Sequence, residues 1–201
     1  LIKGGQGPSG VPLKLKFPID FLTEEWAGLV GAFLSEGNMS KDYGVGFCNK
    51  DQEVMDNYIE MVRKIVGNGM NVIGSHYICS LPSIIGKTTA VGLGFEPGSK
   101  KEANVRIPLV YMNTKNERTK HHLLSWLFTG DGWITLFNDH LGQTHRTIGI
   151  CFGSKNRNEV PNLLRDAKIL LNSSGIRSSA YIFETRKQKS GKTTYSCKIY
   201  I

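Results

Sequence analysis

Two apolar helix-like stretches of this chain, 95 residues apart, end in the same way, on an acidic residue followed directly by glycine. They are Leu29-Val30-Gly31-Ala32-Phe33-Leu34-Ser35-Glu36-Gly37 and Leu124-Ser125-Trp126-Leu127-Phe128-Thr129-Gly130-Asp131-Gly132. A carboxylate in the last turn of a helix opposes the macrodipole, which favours a cation there by roughly 0.3–1 kcal/mol. Sequences break local rules of this kind at functional sites. A second breach in the same setting constrains the fold as well, because it marks the two helices as counterparts in a duplicated unit.

The flanking pattern repeats with them. Thr23 reads as an N-cap with Glu24 and Glu25 in the first turn, and the helix it opens runs to Ser35 or Glu36, stopped by Gly37 at C′. Residues 38–42 and 45–50 read as a hairpin turning near Asp42-Tyr43-Gly44. Asp51 caps a helix over about 52–66, in which Val54, Tyr58, Met61, Val62 and Ile65 recur at helical spacing. A strand-like stretch at 70–81, a loop near Pro97-Gly98 and a strand-like 105–112 follow. Thr114-Lys115-Asn116-Glu117 then has the form of a capping box and opens the helix that closes at Asp131-Gly132. A hairpin at 133–140 and 146–155, a helix from Asn158 to about Leu171, and strands at 176–187 and 193–201 complete the chain.

Each half is thus helix, strand, strand, helix, strand, strand. Val45-Gly46-Phe47-Cys48-Asn49-Lys50 parallels Ile150-Cys151-Phe152-Gly153-Ser154-Lys155, and Ser75-His76-Tyr77-Ile78 parallels Ser179-Ala180-Tyr181-Ile182. The expectation is an α+β chain with an N-terminal arm at 1–22 and two αββαββ repeats, 23–113 and 114–201, related by a pseudo-twofold axis.

No run approaches the ~18–20 apolar residues of a membrane span, and the first residues hold no apolar core long enough for a secretion signal. A soluble intracellular protein, cytoplasmic or organellar, is expected. Cys48, Cys79, Cys151 and Cys197 are separated by 31, 72 and 46 residues, which matches no metal-binding spacing; all four read as reduced thiols in strands. The net charge of +8 lies entirely in residues 141–201, where eleven Lys/Arg face three acids. Concentrated positive charge is the footprint of a polyanion partner, nucleic acid first.

Ala27, Gly28, Gly31 and Ala32 form a small-residue stripe on the first helix, answered less well by Ser125 and Thr129 on the second. Small residues at this spacing permit close helix contact. Side by side about the twofold, the helices bring Glu36 and Asp131 together, and two neighbouring carboxylates repel unless a cation lies between or beside them. Hard oxygen ligands suit Mg²⁺ or another hard divalent cation such as Mn²⁺, which binds one or two carboxylates together with phosphate oxygens. In outline this is a phosphodiester-hydrolysing centre using metal-activated water.

The motifs Leu-x-Gly-x-Phe-x-x-Glu-Gly (29–37) and Leu-x-x-Leu-Phe-x-Gly-Asp-Gly (124–132) resemble the signature helices of the LAGLIDADG homing endonucleases in their single-chain, two-repeat form. The resemblance covers about residues 23–201. It implies a monomeric, site-specific DNA endonuclease with two antiparallel, saddle-shaped sheets and the signature helices packed at the centre. It implies that Glu36 and Asp131 hold the divalent ions, assisted by Asn49 and Lys50 in one half and Ser154 and Lys155 in the other. Leu34 and Thr129 replace the frequent Asp at the sixth position, and Trp126 stands where a small residue is usual, so a looser or skewed helix contact is expected. Without splicing motifs such as a leading Cys or a terminal His-Asn, an intron-encoded enzyme is expected rather than an intein. Two other functions fit the same scaffold: an RNA-splicing maturase acting on intron RNA, and a non-cleaving DNA-binding regulator.

A twisted β-ribbon fits the major groove. Alternation in the last strand assigns Thr194, Ser196, Lys198 and Tyr200 to the DNA face and Thr193, Tyr195, Cys197, Ile199 and Ile201 to the helices. Arg177, Thr185, Arg186 and Lys187 are candidates in the preceding strand, whose phase the pattern leaves open. Lys189 and Lys192 at the hairpin tip suit phosphate contacts. Asn38, Ser40, Lys41 and His76 join them from the first half, and Thr135, Asn138, His140, Arg146 and Thr147 from the second.

Overall fold

The computed structural model describes residues 15, 17–67, 78–81, 83–98 and 105–201. Among them the chain is α+β, with six helices and two antiparallel sheets. The helices are α1 (Glu24–Leu34), α2 (Gln52–Val66), α3 (Ser83–Leu93), α4 (Leu109–Asn113), α5 (Glu117–Asp131) and α6 (Asn162–Ser173). One sheet has the order β1 (Asn38–Met39), β2 (Val45–Cys48), β3 (Ile78–Leu81). The other contains β4 (Gly132–Asn138), β5 (Thr144–Ser154), β6 (Ile182–Lys187) and β7 (Thr193–Tyr200), in the order β4-β5-β7-β6.

Local chemistry sets most of the boundaries. Thr23 Oγ1 accepts from Trp26 N at 3.3 Å to start α1, and Asp51 Oδ1 accepts from Glu53 N at 2.9 Å and Val54 N at 3.3 Å to start α2. The cap of α5 is Asn116, whose Oδ1 accepts from Arg118 N and Thr119 N, rather than Thr114 as the capping-box reading had it. Thr114 instead braces the cap residue, its hydroxyl accepting from Asn116 N at 3.1 Å. The ends of α1 and α5 depart from the simple glycine stop. Gly37 has no left-handed φ, and a β-carbon there would meet Phe33 Cα at 2.5 Å. Gly132 is extended, and a β-carbon on it would lie 2.4 Å from Phe128 O. Both glycines serve close approach of the chain to the preceding turn, not backbone reversal.

Three elements differ from expectation. Residues 105–112 hold no strand; Pro108 at the N-cap opens α4, since a residue without an N–H costs nothing at a helix threshold. The helix α3 was not anticipated. Its β-branched residues and Gly86 and Gly92 are poor helix formers, and packing decides instead: a β-carbon on Gly86 would lie 1.9 Å from Tyr43 O. The helix α6 begins at Asn162, behind Pro161, because Asn158 has φ +62° and cannot open it. The parallel between Ile78 and Ile182 also fails in the sheets: β3 pairs with β2, whereas β6 is an edge strand pairing with β7.

One apolar core runs through both halves. Nine of the eleven α1 residues are buried, as expected of a central helix surrounded by packing. From the first sheet Met39, Val45, Phe47 and Leu81 point into this core, and from the second Ile150, Cys197 and Ile199 do so. Phe47 stacks on Tyr58 at 4.2 Å, and the Trp126 ring of α5 meets both edge-on at 6.0 and 5.9 Å. Each large apolar side chain removed from water in this way contributes about 1.5–3 kcal/mol. A second anchor is polar: the buried Asp166 of α6 accepts from Arg106 Nε, Arg106 Nη2 and Ile107 N at 3.1, 2.8 and 3.1 Å, tying the segment before α4 to the second half.

Candidate functional site

Helices α1 and α5 lie side by side and run in the same direction. At their N-terminal ends Thr119 Oγ1 donates to Leu22 O at 2.6 Å, and His122 Nε2 lies 2.9 Å from Glu24 Oε2. In the middle, a β-carbon on Gly31 would sit 2.3 Å from Leu123 O, and one on Gly28 would sit 2.8 Å from the Trp126 ring. At their C-terminal ends Ser35 Oγ donates to Trp126 O at 3.3 Å, and Gly130 presses on Ser35 and on Glu36 Cγ. The contact is therefore close, not loose. Gly28 supplies the room that Trp126 takes, and the indole leans across α1 onto Phe47, Tyr58 and Met61.

Glu36 and Asp131 consequently emerge at the same end of the helix pair, where β1 and β4 leave it. Glu36 is exposed and Asp131 half-buried. The hydroxyl of Ser35 also lies 3.2 and 3.1 Å from the Gly31 and Ala32 carbonyls, so its one proton is shared among acceptors of the last turn and of α5.

Asp131, Ser154 and Lys155 are brought together in a cleft of about 230 Å³, with Ser35, Glu159 and Asn162 also in its wall. Asn49 and Lys50, the expected counterparts in the first half, are not among its lining residues. Asn49 Oδ1 accepts from Asp51 N at 2.9 Å in the tight link between β2 and α2, and Lys50 is exposed beside it. Glu159 was not among the candidates from sequence, because its segment reads as the start of a helix. The nearby Asn-Arg-Asn run, rich in turn formers, was the available signal.

The register of the second sheet sorts the remaining candidates by face. Thr135 pairs with Thr147, Trp133 with Gly149, Gly149 with Tyr200, Cys151 with Lys198, Glu184 with Ser196 and Arg186 with Thr194, all on the side away from the helices. Asn138, Arg146, Thr185 and Lys187 alternate to the other side, with Ile150, Cys197 and Ile199. Side chains alternate with period two, so Thr135 and Asn138, or Arg146 and Thr147, cannot share a face. Lys189, Lys192, His140 and Arg177 are exposed on the turns and the segment flanking β6. In the first half Asn38 is exposed on the outer side of β1 and Ser40 and Lys41 on the turn after it; His76 lies outside the described residues.

Lys198 forms an ion pair with Glu184 across β6 and β7. Its hydrogen bonds to Glu184 and then Tyr200 raise its pKa above the usual lysine range, and the same lysine holds the Glu184 carboxyl below the ordinary carboxylate value. Alongside α2, Glu24, Glu25, Asp51, Glu53 and Glu60 line a separate cleft of about 430 Å³. Its carboxylates give this cleft a negative field.

No protein-family model matches the chain. In an alignment of 184 positions that covers 84% of its length, it is 31% identical to an uncharacterized protein of Methanocaldococcus jannaschii. It spans 18% of that longer relative. Among the described residues no helix is long and apolar enough to cross a membrane.

Proposed function

We propose that this chain is a site-specific, double-stranded DNA endonuclease of the LAGLIDADG homing type. The observation that carries the reading is the glycine-lined, parallel contact of α1 and α5, which delivers Glu36 and Asp131 to one end of the pair. In this reading α1-β1-β2-α2-β3 and α5-β4-β5-α6-β6-β7 are two versions of one unit related by a pseudo-twofold axis. Their sheets form a saddle over the duplex. The face carrying Thr135, Thr147, Arg186, Thr194, Ser196, Lys198 and Tyr200 enters a groove, while Lys189 and Lys192 take phosphates.

Glu36 and Asp131 fit a hard divalent cation: two carboxylates at one helix-pair end, one exposed and one in the cleft wall, are the donor set Mg²⁺ takes alongside phosphate oxygens. When bound, such an ion supplies an activated water and stabilises the leaving oxygen of the phosphodiester. Lys155 presents a cation in the cleft that holds Asp131, where it offsets charge building on a phosphate, and Lys50 has the same role beyond β2. The hydroxyl of Ser154 and the amide of Asn49 orient water or phosphate oxygens beside them.

Incubation with a library of long duplexes and Mg²⁺, beside Glu36→Gln and Asp131→Asn variants, tests the reading. Sequence-specific double-strand breaks made by the wild type and by neither variant support it. Binding to a site that is never cut, or equal cutting by the variants, overturns the catalytic assignment. Intron splicing that depends on the protein would mark a maturase instead.

A further inference from the structure

The two halves hold Lys50 and Lys155 by different means. Between β2 and α2 the link is residues 49–51, and Lys50 is pinned by what surrounds it: Asn49 Oδ1 accepts from Asp51 N, and Asp51 caps α2. Between β5 and α6 the link is residues 155–161, too long to be fixed by a helix cap, and Pro161 offers no side-chain cap. A hydrogen-bond bracket replaces it. Ser154 Oγ donates to Asn156 O at 3.1 Å, and Glu159 Oε2 accepts from both Asn156 N at 3.0 Å and Asn156 Nδ2 at 2.9 Å. Glu159 N completes the loop by donating to Asn156 O at 3.4 Å. Lys155 lies inside this bracket, and Glu159 lines the same cleft as Lys155 and Asp131.

We propose that Glu159 is a positioning residue for Lys155, so that cleavage of one DNA strand depends on it and cleavage of the other does not. This rests on the endonuclease reading above. A charged acceptor taking two N–H donors from one residue fixes that residue strongly, and the turn containing Asn158 at φ +62° has no other device of this kind between Ser154 and Pro161 among the bonds described. Losing the carboxylate loosens the turn that follows Lys155 and leaves the link around Lys50 unchanged.

The test uses the whole protein on a supercoiled plasmid carrying the site recovered from the duplex library, with each strand end-labelled. Glu159→Ala should slow cutting of one strand at least tenfold, with nicked circles accumulating, while the other strand is cut at the wild-type rate. Glu159→Gln keeps an acceptor and should stay within about threefold on both strands. Hydrogen exchange at the Asn156 amide should accelerate in Glu159→Ala without DNA present. Equal slowing of both strands shows a merely structural role and overturns the proposal, as does unchanged cutting or unchanged exchange at Asn156. A wild type that cuts neither strand, with the exchange difference intact, fails the endonuclease reading and removes the strand assignment with it.

Discussion

Gly130 lies so close to Ser35 that a β-carbon on it would come within 2.2 Å of the serine hydroxyl and 2.5 Å of its Cβ. Rotating the hydroxyl relieves only the first of these contacts. Gly130→Ala should therefore cost about 1–3 kcal/mol as overpacking, read as a lowered urea midpoint. Gly31→Ala should cost at least as much, because the atom it meets, Leu123 O at 2.3 Å, is backbone and cannot rotate away. Equal stability of both variants with the wild type would show that the helices separate at no cost.

Glu36 and Asp131 carry negative charge where the helix macrodipole disfavours it. In metal-free buffer the Glu36→Gln variant should be more stable than wild type, by roughly 0.3–1 kcal/mol. Mg²⁺ should raise the thermal midpoint of the wild type and leave that of the double variant unchanged, since a ligand stabilises only the state that binds it. Calorimetry with and without the ion reads both effects.

Asp166 is 1% exposed and accepts three hydrogen bonds, two of them from a guanidinium. Asp166→Asn keeps the shape and loses charge-assisted bonding, at an expected cost of about 2–3 kcal/mol. The measurement is chemical denaturation.

Burial first, and then the neighbouring Cys151, push the Cys197 thiol up to about 11 from an ordinary value of 9.0. The folded state thus holds its proton where the unfolded chain has released it, so stability falls as pH rises from about 9 to about 11. Across that window Cys197→Val should lose less stability than wild type, the difference reaching about 2 kcal/mol. Parallel alkaline losses in the two proteins would refute the assignment.

Lys189 and Lys192 are exposed on the β6–β7 turn, whereas Lys198 is already offset by Glu184. Each phosphate contact contributes about 0.9 to the slope of log affinity against log salt. Lys189→Gln and Lys192→Gln should each flatten the slope by nearly that amount, and Lys198→Gln by clearly less. Fluorescence anisotropy on one duplex at several salt concentrations separates them.

The elements most legible in the sequence were those set by local chemistry. Thr23 and Asp51 announce α1 and α2 through their hydroxyl and carboxylate, and the alternation of β7 correctly buries Cys197 and Ile199. Where tertiary contact overrode local preference the reading failed: Gly86 in α3 is tolerated because Tyr43 O needs the space, and α4 is helical despite a strand-like composition. The bracket around Lys155 was illegible for another reason. It depends on a carboxylate reaching back three residues to a backbone N–H, which no apolar period records.

The contact between α1 and α5 is complementary without being symmetrical. Glycines 28 and 31 on one side receive an indole and a backbone carbonyl from the other, and only Gly130 returns the favour. On the pseudo-twofold axis proposed above, a molecule assembled from two first halves would set glycine against glycine and leave a hollow, and one assembled from two second halves would drive Trp126 into its own copy. The halves are therefore a matched pair that cannot be exchanged for each other, and either can change along this seam only when the other changes with it.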